Sequence, residues 1–341
     1  MKKSGSKKEQ DGQPPAAASR ADLWAAIDVG SATIHLLVGA LEESDGQPGV
    51  RHIESRATVL DLGVDVAQEG AIGEKAAGRI ASTLTRYVKV AKRYTDNIVI
   101  AATEASRSAS NRAQVLGPLS ESIGYPVHLL SGRREAQLGF LGVQSSLPSV
   151  GCQVVIDSGG ASTEVSVTDG RGLKTSTSIP LGAAVLGAGI DGDPPPPLAW
   201  ALEAVRLGKA LRMLPKAEPV GLWATGGSAH NLVGLHRSRR PARTSRLSMA
   251  KLERSSRRLL QNRAKAISKR TGEDPRRVKL LAPGALILGA IMQHYGAVEC
   301  TVLAPGVRDG MILAAHASPD DWWKDAPARK TVPATRGIRR V

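Results

Sequence analysis

The pattern of hydrophobic and polar positions predicts an alternation of short apolar strands and amphipathic helices from about residue 23 onwards. Apolar runs over residues 23–27 and 34–38 predict two strands, and the turn at Gly30 and Ser31 joins them in a hairpin. Apolar positions recur at helical spacing over residues 71–92, which predicts an amphipathic helix. By the same criteria we predict strands at 97–101, 127–130, 221–224 and 301–303, and helices at 111–123, 135–144, 198–214, 229–235, 248–269, 283–294 and after Gly310.

The opening strand–turn–strand pattern returns once, 129 positions further along the chain. Residues 25–33 (AAIDVGSAT) are matched by residues 154–163 (VVIDSGGAST), and both segments run from an apolar strand through Asp and Gly to hydroxyl residues. A repeat on this scale indicates two similar folding units. We therefore expect two α/β domains, at 23–147 and 148–317, whose two turns face one cleft, and the last helix is a candidate to pack back on the first domain. The polar, basic segments 1–22 and 318–341 are expected to be tails, the first of them disordered.

Charge narrows the kinds of partner that the chain can have. Lysine and arginine number 46 against 31 aspartates and glutamates, a formal charge of +15. Residues 236–279 contain 16 of these basic residues and 3 of the acidic ones, so this segment holds most of the excess. Such a segment favours an anionic partner, with a solvated basic surface as the alternative. Its candidate polyanion-binding residues are Arg237, Arg239, Arg240, Arg243 and Arg246.

Other features of the composition weaken several alternatives. Aromatic residues make up 3% of the chain and are absent from 236–279, which makes nucleic acid an unlikely partner because single-strand binders stack bases on aromatic rings. Cys152 and Cys300 are too far apart for a metal motif and do not form a disulfide framework. No apolar run approaches the roughly 18 residues of a membrane span, and residues 1–20 lack a secretory signal. We expect a cytoplasmic protein that does not bind a membrane.

Glycine-rich turns at strand ends give the chain a candidate phosphate site. Their backbone amides can point at an anion without a side chain in the way, and neighbouring hydroxyl groups add donors. Asp28 and Asp157 would repel phosphate but can hold a divalent cation that bridges to it. The alternative is two ordinary hairpins in which Asp serves as the turn former. The candidate phosphate-binding residues are Gly30, Ser31, Thr33, Gly159, Gly160, Ser162, Thr163, Gly226, Gly227 and Ser228.

Two further segments can bring reactive side chains to the same edge of the sheet. Arg107 follows a predicted strand, and its planar fork of donors suits a phosphate. Glu135 lies at the start of a predicted helix just before the second repeat, where it can enter the cleft as a base for an attacking water. The alternatives are a solvated arginine at a helix start and a glutamate that complements a helix dipole.

Taken in order, these segments resemble those of the exopolyphosphatase/guanosine pentaphosphate phosphatase (Ppx/GppA) family. The resemblance spans about residues 24–315 and corresponds to the short, two-domain type. Seven segments carry it: 28–33, 103–111 with Arg107, 131–136 with Glu135, 157–164, 180–183, 225–228 and 306–310.

The resemblance implies a fold of two actin-like, ribonuclease-H-like α/β domains with the active site in the interdomain cleft. It implies that Glu135 is the general base, and that Asp28, Asp157 and Glu164 organise Mg²⁺ or Mn²⁺ and water, so that Glu164 serves both catalysis and the metal. Arg107 and the glycine turns would hold phosphates. The expected activity is an exopolyphosphatase that releases orthophosphate from the ends of inorganic polyphosphate.

The chain also departs from the family at three positions. Ala32, Arg134 and Ala161 stand where the family usually has Asn, Glu and Gly. A positive charge at Arg134 would lower the pKa of the neighbouring Glu135. These departures keep two alternatives open besides the exopolyphosphatase: a guanosine pentaphosphate (pppGpp) phosphohydrolase, and a non-catalytic sensor of polyphosphate or nucleotide. A second copy of the chain, in a homodimer, is a further candidate partner.

Overall fold

Two β-sheets flanked by helices form the protein in the computed structural model, which describes residues 20–44, 46–60, 62–170, 172–235 and 244–325. The first sheet consists of β1 (Leu23–Val29), β2 (Thr33–Ser44), β3 (Gln47–Val59), β4 (Ile98–Ala102) and β5 (Val127–Leu129). The helices along this part are α1 (Leu62–Glu69), α2 (Glu74–Ala91), α3 (Glu104–Ser108), α4 (Arg112–Ile123) and α5 (Gly132–Val143).

The second sheet is formed by the following half of the chain. Its strands are β6 (Gln153–Ser158), β7 (Thr163–Thr168), β8 (Leu173–Ile179), β9 (Gly221–Thr225), β10 (Thr244–Ser248) and β11 (Glu299–Leu303). Its helices are α6 (Ala183–Ala188), α7 (Pro197–Ala210), α8 (Gly226–Gly234), α9 (Met249–Gln261), α10 (Ala264–Thr271) and α11 (Pro275–His294). The chain then continues from β11 into α12 (Val307–Ala317).

The two sheets share one topology. In the first, the strand order is β3-β2-β1-β4-β5, with β1, β2 and β3 antiparallel and β4 and β5 parallel to β1. In the second, β8-β7-β6-β9-β11 repeats this order and these directions, and β10 adds an antiparallel strand beside β11. This is the ribonuclease-H-like arrangement, so the prediction of two similar α/β units is confirmed.

Each sheet has its own apolar core, and α12 covers a face of the first sheet. The strand residues Ile27, Ile100 and Ile156 are fully buried, which stabilises the fold by about 1.5–3 kcal/mol for each such side chain. Met311 and Ile312 of α12 belong to a cluster with Ala26, Leu37 and Leu138. The last helix therefore returns from the second sheet to pack against the first.

The strands that the hydrophobic pattern missed are β3, β8 and β10, all of which lie at the edges of their sheets; β10 includes positions 244–246, which were predicted to belong to a basic loop. Strand β8 has the sequence LKTSTSI, and most of its positions are at least partly exposed. An edge strand pairs on one side only and can keep polar side chains towards solvent, so its apolar pattern is weak. The short helices α1, α3 and α6 were missed as well.

Two helix boundaries differ from the prediction for identifiable reasons. The helix predicted at 248–269 is broken between α9 and α10, because the amide of Ala264 donates to Asp193 Oδ1 (2.7 Å) in a distant loop and begins a new helix. The helix predicted to start at Pro283 starts at Pro275. Asp274 caps it by accepting from the Arg276 amide (2.8 Å), and Pro283 lies inside the helix.

The end of the chain differs from the polar tail predicted for residues 318–341. Residues 318–325 form a turn against the first sheet, and Trp322 is 2% exposed within the cluster that includes Leu138 and Met311. Near the other end, Arg20–Asp22 form a short 3-10 turn where a tail was predicted. The remainder of both predicted tails, residues 1–19 and 326–341, lies outside the described residues.

Helices α5 and α12 cross so closely that glycine is required at the contact. A Cβ atom at Gly142 would lie 2.0 Å from the carbonyl oxygen of Gly306, and one at Gly310 would lie 1.8 Å from that of Leu138. Both neighbours are backbone atoms, which cannot rotate away as a side chain can. The packing of α12 on the first sheet therefore depends on these two glycines.

We predict that Gly310→Ala lowers the free energy of unfolding by about 3 kcal/mol, the upper range for overpacked sites, because the added methyl group must displace backbone. The measurement is thermal or urea unfolding followed by circular dichroism. Gly78→Ala is the matched control, since Gly78 is exposed in α2 and a Cβ there meets nothing within 4 Å. This control should raise stability by about 0.4–1 kcal/mol. Equal stability of Gly310→Ala and the parent would contradict the proposed role of the crossing.

Candidate active site

The two repeated turns have the same backbone geometry. The amide of Gly30 donates to the carbonyl of Thr33 (3.2 Å), and the amide of Gly159 donates to that of Ser162 (3.0 Å). Each turn closes a hairpin, β1–β2 or β6–β7. The sequence repeat is therefore a structural repeat.

The turns lie directly against each other across the two sheets. A Cβ atom at Gly160 would approach the Cβ of Ala32 to 3.0 Å and that of Ser31 to 3.2 Å. Glycine at position 160 thus makes room for the opposite turn. The expectation that the two turns face one cleft agrees with this contact.

A cleft of about 330 Å³ opens at this contact between the two sheets. It is lined by most of the residues singled out from the sequence: Asp28, Gly30, Ser31, Thr33, Glu135, Asp157, Gly159, Gly160, Ser162, Glu164, Gly226, Gly227 and Ser228. Two candidate phosphate-binding residues, Arg107 and Thr163, are not among the lining residues. The Thr163 hydroxyl is buried and donates to the carbonyl of Leu181 (2.9 Å).

The third glycine turn joins the cleft where β9 ends. Gly226 has a φ of +86°, a left-handed conformation that glycine adopts without strain. A Cβ atom there would lie 2.3 Å from Asp157 Oδ1. Glycine at this position therefore allows the start of α8 to reach the Asp157 carboxylate.

Burial dominates the electrostatics of the paired aspartates. It raises the pKa of Asp28 to about 6, against the effect of Arg308 and with a smaller contribution from the charge of Asp157. It also raises the pKa of Asp157 to about 6, again opposed by Arg308. Arg308 lies at the start of α12 and lines the cleft, so it partly balances both carboxylates.

The two glutamates of the cleft are shifted further. Burial raises the pKa of Glu164 to about 8, and the negative charge of Asp157 adds to the shift. The Ser178 hydroxyl donates to Glu164 Oε1 (2.7 Å). Burial also raises the pKa of Glu135 well above its ordinary value, with the charge of Glu164 as the next cause and Arg107 opposing both. The cleft therefore favours carboxyl groups that are protonated or balanced by positive charge.

The guanidinium group of Arg107 donates hydrogen bonds to other residues of the protein. Its Nη1 group donates to Glu135 Oε2 (2.9 Å) and to the carbonyl of Leu130 (2.6 Å). Its Nε group donates to Glu104 Oε2 (3.1 Å), and Nη2 contacts the same oxygen. The geometry makes Arg107 the residue that holds the Glu135 carboxylate.

Some residues of the cleft had no role in the sequence prediction. His35 pairs with Asp28 across the β1–β2 hairpin as Glu164 pairs with Asp157 across β6–β7, so the two residues occupy equivalent places in the repeat. Their equal spacing from the two aspartates is the signal that could have identified His35. His230 also lines the cleft, and its Nε2 group donates to the carbonyl of Leu303 (2.6 Å). Arg308 is separated from both turns in sequence, and only the fold brings it there.

The predicted influence of Arg134 on Glu135 is wrong. The Arg134 side chain is 9% exposed and turns away from the cleft, where it donates to the carbonyl of Trp322. Burial and Asp325 perturb the pKa of Arg134, whereas the charges that act on Glu135 are Glu164, Arg107 and Asp28. The positive charge of Arg134 therefore points away from the cleft and towards Trp322.

The predicted polyanion-binding residues can be placed only in part. Arg237, Arg239, Arg240 and Arg243 lie outside the described residues. Arg246 lies in β10, where it donates to Glu299 (2.9 Å) and lines a cavity of about 550 Å³ that is separate from the acidic cleft. Part of the basic segment does reach the cleft, because Arg277 of α11 lines it.

The suitability of the cleft for a divalent cation rests on its oxygen atoms. Among the described residues, no three Asp, Glu, His or Cys side chains converge in a way that could hold a metal ion on their own. Asp28 Oδ1 and Ser158 Oγ are buried in the cleft and find no hydrogen-bond partner within the described part of the chain. Mg²⁺ commonly binds through one or two carboxylates together with substrate phosphates. The residues fit an ion that is shared with a phosphate ligand.

Together, the duplicated ribonuclease-H-like sheets and the glycine turns that meet in an acidic cleft define a protein of the actin-like class. A sequence profile of the Ppx/GppA phosphatase family matches residues 42–318. The chain belongs to the Ppx/GppA phosphatase family.

Solved structures share the fold of this chain. The Aquifex aeolicus Ppx/GppA family member has a TM-score of 0.72 at 23% identity, and the match covers 87% of this chain and 98% of that one. An exopolyphosphatase from Cytophaga hutchinsonii has a TM-score of 0.77 at 20% identity, with 86% and 97% coverage. At these identities the likeness supports the fold alone.

Among curated relatives, the guanosine-5'-triphosphate,3'-diphosphate pyrophosphatase of Vibrio cholerae is 32% identical over 164 residues. That match covers 47% of this chain and 32% of the relative, so the chain spans about a third of the relative's length. None of the described helices is long and apolar enough to cross a membrane.

We predict that the metal-free protein loses stability as the pH rises from about 4 to about 8. The folded-state pKa values of Asp28, Asp157 and Glu164 are raised, so the folded state binds more protons than the unfolded state in this range, and ionisation favours unfolding. Glu164→Gln keeps an acceptor for Ser178 and removes the charge. It should leave the melting temperature unchanged near pH 4 and raise it at pH 8.

The measurement is thermal unfolding in chelator across this pH range. Glu121→Gln, an exposed change on α4, is the control and should show no such gain at pH 8. A melting temperature of Glu164→Gln that runs parallel to that of the parent at every pH would contradict the prediction.

Proposed function

We propose that the protein is a metal-dependent hydrolase of phosphoanhydride bonds. The observation that carries the proposal is the meeting of four carboxyl groups, one buried and three partly buried, with three glycine turns in one cleft. Membership of the Ppx/GppA phosphatase family supports it. A sensor that only binds phosphate has no need of a buried base, which makes the catalytic alternative the stronger one.

In this proposal the turns bind the terminal phosphate and Glu135 acts on water. Amides and hydroxyl groups of the turns at Ser31, Ser162 and Gly227 orient the phosphate. Glu135 accepts a proton from a water molecule as the water oxygen attacks phosphorus in line with the bridging oxygen. The bond from phosphorus to that bridging oxygen breaks, orthophosphate leaves, and the shortened anion carries away the electron pair.

Arg107 acts in this scheme by fixing the base. Its bonds to Glu135 and to the Leu130 carbonyl set the direction of the carboxylate, and its positive charge counters the effect of burial on the Glu135 pKa. The sequence pattern predicted instead that Arg107 contacts phosphate directly. Arg107 does not line the cleft, so its position does not favour such a contact.

The metal in the proposal is Mg²⁺ or Mn²⁺, which Asp28 and Asp157 would hold, and Glu164 would assist them. Such an ion supplies positive charge that neutralises the phosphate and favours the ionised carboxylates. Activity should therefore disappear in excess chelator.

We propose that the substrate is inorganic polyphosphate and that the enzyme removes its terminal phosphate. The basic start of α11 supports a long anion. Arg277 lines the cleft, and Arg276 and Lys279 line an adjoining cavity of about 520 Å³ that shares Leu280 with it. A polyanion that leaves the cleft would meet these positive charges next.

The second candidate substrate is pppGpp, favoured by the similarity to the Vibrio cholerae pyrophosphatase. Release of orthophosphate from long-chain polyphosphate, short-chain polyphosphate and pppGpp, measured side by side with Mg²⁺, tests both candidates. A preference for the long chain that weakens at high salt supports the polymer. Hydrolysis of pppGpp alone would overturn the polyphosphate proposal, and binding of any of them without hydrolysis would favour the sensor.

We predict that Glu135→Gln lowers kcat by about 10²–10⁴-fold, the usual contribution of a general base. The amide oxygen of Gln can still accept from Arg107, so the orientation of the side chain and the affinity for substrate should survive. Initial rates and KM provide the measurement. Glu104→Gln changes the other carboxylate bound to Arg107 and should lower kcat much less. Parent-like turnover of Glu135→Gln would remove Glu135 from the mechanism.

A further inference from the structure

The turn that begins α5 is held from two opposite sides. On the cleft side, Arg107 donates to the Leu130 carbonyl and to Glu135, as described above. On the outer side, Ser131, which caps α5, donates its hydroxyl to Asp325 Oδ1 (2.5 Å) and accepts from the Arg134 amide (2.9 Å). The outer side is thus formed by residues almost two hundred positions further along the chain.

Arg134 makes a two-donor contact on the outer side. Its Nε and Nη2 groups both donate to the carbonyl oxygen of Trp322, at 2.8 and 2.5 Å, and Nη1 donates to Gln137 (3.3 Å). A buried guanidinium is costly unless its donors are satisfied. The Trp322 carbonyl satisfies two of them and fixes the direction of the side chain.

The position of that carbonyl is itself well fixed by aromatic packing. Trp322 is almost fully buried against the first sheet. Its neighbour Trp323 stacks on His128 of β5, with ring centroids 3.7 Å apart and an interplanar angle of 14°. Trp322 meets the same histidine ring in a T-shaped arrangement, with ring centroids 5.4 Å apart. The segment is therefore anchored independently of its bond to Arg134.

We propose that residues 318–325, here called the C-terminal clasp, position the catalytic base, and that Arg134 is the positioning residue through which they act. Arg134 and Glu135 are neighbours in the first turn of α5. A shift of that turn would move the Glu135 carboxylate relative to the phosphate turns. This inference rests on the proposed function, because it assigns Arg134 a role in the reaction that Glu135 carries.

The chemistry of the side chain at position 134 decides whether the clasp contact can form. An acidic side chain there would repel the lone pairs of the Trp322 carbonyl. Arginine converts that contact into two hydrogen bonds. The clasp contact in this chain therefore depends on a basic residue at position 134.

The decisive variant is Arg134→Met, which keeps much of the volume and removes every donor. We expect kcat to fall by about 10–100-fold, the loss that a small displacement of a catalytic group produces, with little change in KM. Arg134→Lys can still donate to the Trp322 carbonyl and should recover part of the rate. Arg133→Met is the matched control, because Arg133 is exposed in the same turn, and it should behave as the parent does.

Hydrogen exchange of the amides in residues 131–137, followed by mass spectrometry, provides a readout that does not need activity. Arg134→Met should speed exchange there, and Arg133→Met should not. Asp325→Ala removes the acceptor for Ser131 from an exposed position and replaces Arg134→Met if that variant fails to fold.

Unchanged exchange in a folded variant would overturn the clasp. Faster exchange with unchanged kcat would overturn its role in positioning Glu135. An equal loss in kcat and in affinity, with no recovery in Arg134→Lys, would indicate a general structural defect and would also overturn it. An inactive parent would overturn the proposed function instead, and exchange would then decide whether the clasp holds the turn.

Discussion

The structure depends on four carboxyl groups that share one buried space. Asp28 and Asp157 come from the two halves of the repeat, Glu164 follows the second turn, and Glu135 enters at the start of α5. Burial penalises their ionised forms, and Arg308 and Arg107 offset only part of this penalty. The cleft is therefore an environment in which added positive charge is favourable.

The two halves of the repeat share a backbone but differ in chemistry. Each provides an aspartate and a glycine turn, yet the residue paired with the aspartate is His35 in one half and Glu164 in the other. Burial lowers the pKa of His35 well below its usual range, with the charge of Arg308 acting in the same direction. The first half therefore has a neutral side chain where the second has a carboxyl group, and the acidic character of the cleft is biased towards the second sheet.

Features set by neighbouring residues in the chain could be predicted from the sequence, and features set by distant ones could not. The central strands and the two turns follow from local apolar runs and glycines, and the aspartates of the turns follow with them. The break before Ala264 depends on Asp193, and the direction of Arg134 depends on Trp322, which lies far away in sequence. The edge strand β8 was not predicted, because its polar residues can face solvent and leave no clear apolar pattern. Arg107 was recognised as important, but its partners Glu104 and Glu135 could be assigned only from the fold.

The close crossing of α5 and α12 has a mechanical consequence. The chain passes between the two sheets only twice among the described residues, once after α5 and once just before α12. Both passages lie next to the place where Gly142 meets Gly306 and Gly310 meets Leu138. The two covalent connections between the halves therefore meet at one packed contact, and glycine at positions 142 and 310 lets the backbones there lie close together.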